Sequence, residues 1–70
     1  MNRTVMVRVT DGFNPFTVLD DIRSIGFQFD HLLPYGTDGD FMLVGMMNIN
    51  HILLLKSFDG VKSFKTTEEL

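Results

Sequence analysis

Apolar and polar residues alternate at period two in two stretches of the chain and at helical period in two others. Residues 4–10, TVMVRVT, put Val5, Val7 and Val9 on one face and Thr4, Met6, Arg8 and Thr10 on the other. β-branched residues at this spacing read as a strand, and Asp11-Gly12 ends it with a turn signal. Residues 14–26, NPFTVLDDIRSIG, carry Phe16, Val18, Leu19, Ile22 and Ile25 on one helical stripe. Asn14 is placed to cap this helix, Pro15 suits its first turn, and Gly26 suits its end. Asp20, Asp21, Arg23 and Ser24 fill the solvated face.

Residues 27–33, FQFDHLL, alternate again, with Phe27, Phe29, His31 and Leu33 on one face and Gln28, Asp30 and Leu32 on the other. Pro34-Tyr35-Gly36 and Asp38-Gly39 mark a loop before a strand at 40–47. Asn48 or Asn50 can cap a second helix containing Ile49, Ile52, Leu53 and Leu55 and running to about Ser57. Asp59-Gly60 stops it. VKSFK, 61–65, is a short last strand, and TTEEL, 66–70, is a polar tail expected to fray.

Strand, helix, strand, strand, helix, strand is the ferredoxin-like βαββαβ order. It implies a single α+β domain: a four-stranded antiparallel sheet in the order 4-1-3-2, with two helices on one face. Val5, Val7 and Val9 then face the helices, as do Phe41 and Leu43, and Gly45 leaves room for a helix to approach. The stretch 41–47, FMLVGMM, breaks the alternation because none of its seven residues has a polar side chain. In this fold Met42, Val44 and Met46 point to the open face, beside Met6, Thr4 and Arg8 of the neighbouring strand and Leu32 of the second strand. Met6, Arg8, Leu32, Met42, Val44 and Met46 are therefore the expected partner-binding residues.

A contiguous apolar patch signals interaction, and methionine adapts to varied partner shapes. Left uncovered, an uncharged run without proline is also an aggregation hazard. Three readings account for the patch: a second copy of the chain covers it, a different protein covers it, or the register is shifted or the chain's own tail folds back over it.

Composition narrows the alternatives. A 70-residue chain buries only about 60% of its unfolded surface, so small domains often rely on disulfides, metal or association. There is no cysteine, and two histidines with scattered carboxylates do not make a structural metal site. No cofactor is expected. The net charge is −3 and the pI about 5.0, with six basic residues dispersed along the chain, which disfavours nucleic acid. The N-terminus lacks a basic region followed by an apolar one, and no apolar run reaches membrane-spanning length. The expectation is a cytoplasmic chain.

Catalytic patterns are equally sparse. Asp30 and His31 are neighbours on a strand and are expected to point to opposite faces. His31 reads as a structural or rim histidine, and His51 as a solvated residue of the second helix. Asp38-Gly39-Asp40 lacks the later ligands of a calcium loop and reads as a hairpin turn. Gly36, Gly39 and Gly45 do not have phosphate-loop spacing. Asn2-Arg3-Thr4 matches a glycosylation triplet but has no secretion signal behind it. RNA-recognition modules share the topology and stack bases on open-face aromatics, whereas Met6, Met42, Val44 and Met46 occupy those positions here.

Two stretches resemble known families. SIGFQFDHLL, following a capped helix, looks like the helix-to-strand passage of ACT regulatory modules. That resemblance implies a small effector bound at a dimer interface, although the family's Pro-Gly entry is absent from DGFNPF. GDFMLVGMMNINHILLLKSFDGVKSFKTTEEL is similar in pattern to subtilisin-propeptide-like inhibitors, with Gly60-Val61 and Phe64 matching their final strand and Asp40 intruding between Gly39 and Phe41. That one implies a tail entering a protease cleft. The expectation drawn from all of this is a non-enzymatic inhibitor or regulator, of the kind phages and other mobile elements encode, binding itself or another protein. The alternative is an ACT-like small-molecule sensor.

Overall fold

The computed structural model describes residues 2–37 and 39–67. Four strands, β1 (Asn2–Val9), β2 (Gln28–Tyr35), β3 (Asp40–Asn48) and β4 (Val61–Thr66), form one sheet in the order β2-β3-β1-β4. All three neighbouring pairs are antiparallel. Counted from the other edge, this is the expected order 4-1-3-2. The described residues form one small α+β unit.

The helix α1 (Pro15–Arg23) begins where the sequence places it. The Asn14 side chain accepts a hydrogen bond from the Phe16 amide at 2.9 Å, satisfying one of the first-turn donors, and Pro15 occupies the first turn. Gly26, at φ +94°, follows the last turn in the left-handed region that a side chain disfavours. Val18, Leu19 and Ile22 are buried, while Phe16 at the start of the stripe is exposed.

The second helix is a 3₁₀ helix, Ile49–Ser57, rather than an α-helix. Asn48 caps it by accepting from the Asn50 amide at 2.9 Å. At three residues per turn, Ile49, Ile52 and Leu55 fall on one side. Leu55 is fully buried and Ile52 packs against the core, whereas Leu53 and Leu54 are exposed. The span to be covered explains the longer rise. Asn48 lies opposite Asn2 and Val61 opposite Val9, so the chain returns along seven residues of sheet, or about 23 Å. Nine residues rise about 14 Å as an α-helix and about 18 Å as a 3₁₀ helix.

The core lies between both helices and one sheet face. It comprises Val5, Val7 and Val9 of β1, Leu43 and Met47 of β3, Val18, Leu19 and Ile22 of α1, Phe27, and Leu55. Gly45 does make room on β3, but for the Phe27 ring and the β2 backbone rather than a helix. A Cβ there would lie 2.6 Å from Phe27 Cζ and against the Gln28 carbonyl oxygen.

Two β-bulges alter the expected phases. In β2 the register steps from Phe29↔Gly45 to His31↔Val44, leaving Asp30 as the extra residue. In β4 it steps from Ser63↔Arg8 to Val61↔Val9, leaving Lys62 extra. β4 also runs to Thr66, and the Thr67 amide donates to the Thr4 carbonyl at 3.1 Å, so the expected tail begins later than 66. The rest of that tail, 68–70, and the turn residue Asp38 lie outside the described residues.

Candidate functional site: the open sheet face

The face away from the helices is built in cross-strand rows. One row runs His31–Val44–Met6–Lys65 from β2 to β4. The rows beside it run Gln28–Met46–Thr4 and Leu33–Met42–Arg8–Ser63. Met6, Arg8, Met42, Val44 and Met46 thus share the face on which the alternation placed them.

Leu32 does not, and this is a correction. The bulge at Asp30 shifts every later residue of β2 by one, so Leu32 pairs with Leu43 and packs against the core. Leu33 takes its place on the open face, 46% exposed, and His31 moves there too. The same bulge overturns the separation of Asp30 from His31. Their side chains meet, with His31 Nδ1 2.5 Å from Asp30 Oδ2. Asp30 borders a hollow that also includes Gln28, Val44, Met46 and Thr4. A carboxylate beside an imidazole can orient the ring, but such a pair supplies neither a nucleophile nor oxyanion donors.

The face divides into two unlike halves. At one end Asp40, which follows the hairpin turn and begins β3 as the strand reading at 40–47 expects, is buried at 3% exposure. Its Oδ2 accepts from Arg8 Nε at 2.6 Å and lies 3.3 Å from Lys62 Nζ, while Oδ1 accepts from the Asp11 amide at 2.9 Å. Lys62 is the bulge residue of β4 on this side of the sheet. The Arg8 guanidinium also lies over the Tyr35 ring, 4.8 Å from its centre, a cation–π contact. Burial penalises the Asp40 charge, but the Arg8, Asp11 and Lys62 donors outweigh it and hold its carboxyl below the ordinary carboxylate value.

This cluster alters the reading of two expected residues. Met42, flanked in its row by Arg8 and Leu33, is only 5% exposed. Arg8 is an anchor of the charged cluster. The exposed apolar surface therefore runs from the other end, where Met46 is 42% exposed, through half-buried Val44 and Met6 to Leu33, on the β2 edge in the row of Met42.

No protein-family model, curated protein or solved structure matches this chain.

Asp40 and Tyr35 are the residues that sequence reading missed. Asp40 shares the parity of Met42, Val44 and Met46, and an even-numbered acid facing Arg8 on the neighbouring central strand was a usable signal. Tyr35 was hidden by Pro34, which reads as a loop but sits within β2, an edge strand that tolerates proline. Among the described residues no group of three His, Cys, Asp or Glu could hold a metal ion, and no helix is long and apolar enough to cross a membrane.

Proposed function

We propose that this chain is a ferredoxin-like, non-enzymatic binding protein, a small regulator or inhibitor that docks through its open sheet face and self-associates there. The strand order and the placement of both helices on one face support the fold reading. The observation that carries the function is the exposed strip of Met46, Val44, Met6 and Leu33 on the two central strands and an adjoining edge. Apolar surface in the middle of a sheet is a poor choice for a face meant to stay wet.

Docking by the face is favoured over docking by an edge. β2 carries a bulge and Pro34, and β4 carries a bulge with Lys62 and Lys65. Bulges, proline and lysine all discourage an added strand. The face is large enough: four strands about 4.8 Å apart and eight residues rising about 3.3 Å each cover roughly 500 Å². Two copies would bury about 1,000 Å², the lower bound of a specific interface, which fits a weak dimer.

Sedimentation of the wild type and of Val44→Glu tests this reading. The wild type should form dimers at high micromolar concentration. Val44→Glu should remain folded by circular dichroism and sediment as a monomer. A monomeric wild type, or a Val44→Glu variant that dimerises as well as the wild type, refutes self-association through this face.

A further inference from the structure

We infer that the partner on this face is a second copy of the chain, packed about a two-fold axis that runs parallel to the strands between β3 and β1; this rests on the face-docking reading above. The inference comes from the placement of charge around the exposed strip. The central row is His31–Val44–Met6–Lys65. Its β2 end carries Asp30, bulged out beside His31, with its side chain 72% exposed. Its β4 end carries Lys65, also exposed and paired with Met6. An acid and a base thus flank the same apolar strip on opposite edges of the sheet.

A two-fold axis along the strands exchanges those edges. It sets Val44 against Met6 of the partner subunit and the His31–Asp30 pair, with its exposed carboxylate, against Lys65 of the partner subunit. By symmetry it also sets Lys65 against the partner's Asp30, as an isologous interface requires. Packed sheets lie about 10 Å apart, and the long lysine stem covers most of that gap at the rim. A two-fold axis across the strands does the reverse. It places the Met46 end of the strip over the partner's Arg8–Asp40–Lys62 cluster, apolar surface against ionised groups that would lose water. The face is complementary to itself in the first orientation and not in the second.

Charge reversal tests the orientation. Asp30→Lys and Lys65→Asp each place like charges at both symmetric contacts and should each weaken the dimer by about tenfold, with faster loss at low salt. The double variant Asp30→Lys/Lys65→Asp restores opposite charges and should bind within about threefold of the wild type. Both side chains are exposed, so circular dichroism recorded below the dimer Kd should match the wild type, while melts at higher concentration should fall with the loss of dimer. If Val44→Glu abolishes the dimer while the single reversals leave its Kd within about twofold, the orientation is wrong and the face reading stands. The same holds if the double variant stays as weak as the singles. If the wild type is monomeric at high micromolar concentration, the face reading fails and takes this inference with it.

Discussion

Gly45→Ala is a sharp test of how β3 is packed. Gly45 does not have a positive φ, so the backbone there accepts alanine and space is the only objection. The space is absent. The added methyl would sit 2.6 and 2.9 Å from Phe27 ring carbons and against the Gln28 carbonyl oxygen. Ordinary carbon contacts lie near 3.5–4.0 Å, so the ring and the β2 backbone must retreat by about 1 Å. Phe27 is 3% exposed in the core, and Phe29 of β2 pairs directly with Gly45, so neither neighbour is free to move. Overpacking of this kind costs about 1–3 kcal/mol, and a backbone obstacle places it near 3. A 70-residue domain has roughly 4–10 kcal/mol in total. Thermal melting should therefore fall by roughly 12–24 °C. Urea titration should show a lower midpoint with an unchanged m-value. Adding Phe27→Leu should recover part of the loss, because the smaller side chain yields to the methyl. A Gly45→Ala protein within about 1 kcal/mol of the wild type, the gain strand propensity alone allows, refutes the close approach of Phe27.

Two further predictions concern the faces of β3 and the charged cluster. Leu43→Ala, at a fully buried position, should cost about 2–5 kcal/mol, whereas Met46→Ala, 42% exposed on the open face, should cost the monomer under about 1 kcal/mol by urea titration. For Asp40 the folded carboxyl titrates below its ordinary value of 3.8, so the carboxylate stabilises the fold above pH 3.8. That stability is lost as the pH falls from there through the lower folded value. Asp40→Asn should therefore be less stable than the wild type at neutral pH and should show a shallower decline below pH 4 in acid-unfolding curves.

Much of the fold was legible because alternation and capping are local. Val5, Val7 and Val9 repeat at period two, and a strand with one buried face can satisfy that repeat in only one phase. Asn14, Pro15 and Gly26 state their roles through side-chain chemistry that needs no distant partner. The second strand was legible only up to Asp30. A bulge adds one residue to one strand, and what stabilises it is the pairing on the other side of the ladder. Nothing in FQFDHLL announces it, so Leu32 and Leu33 exchanged faces. The second helix was placed correctly in the chain, but its 3₁₀ pitch was not legible, because the distance from Asn48 back to Val61 is a property of the folded sheet.

The candidate face shows the same division. The sequence by itself determined that β3 would be apolar on both sides, since a period-two element distributes FMLVGMM to two faces whatever surrounds it. It also determined that Met6, Val44 and Met46 would share the side away from Val5, Val7 and Val9. Only the tertiary structure decided which part of that side stays exposed. Asp40 and Arg8 are 32 residues apart in the chain, and Lys62 lies a further 22 beyond Asp40. Strand pairing and one bulge bring them together, and their mutual attraction withstands the burial that encloses Met42. Coulombic attraction depends on distance in space, which the order of residues does not contain. That is why the charged end of the face, and with it the outline of the exposed strip, became visible only once the sheet was assembled.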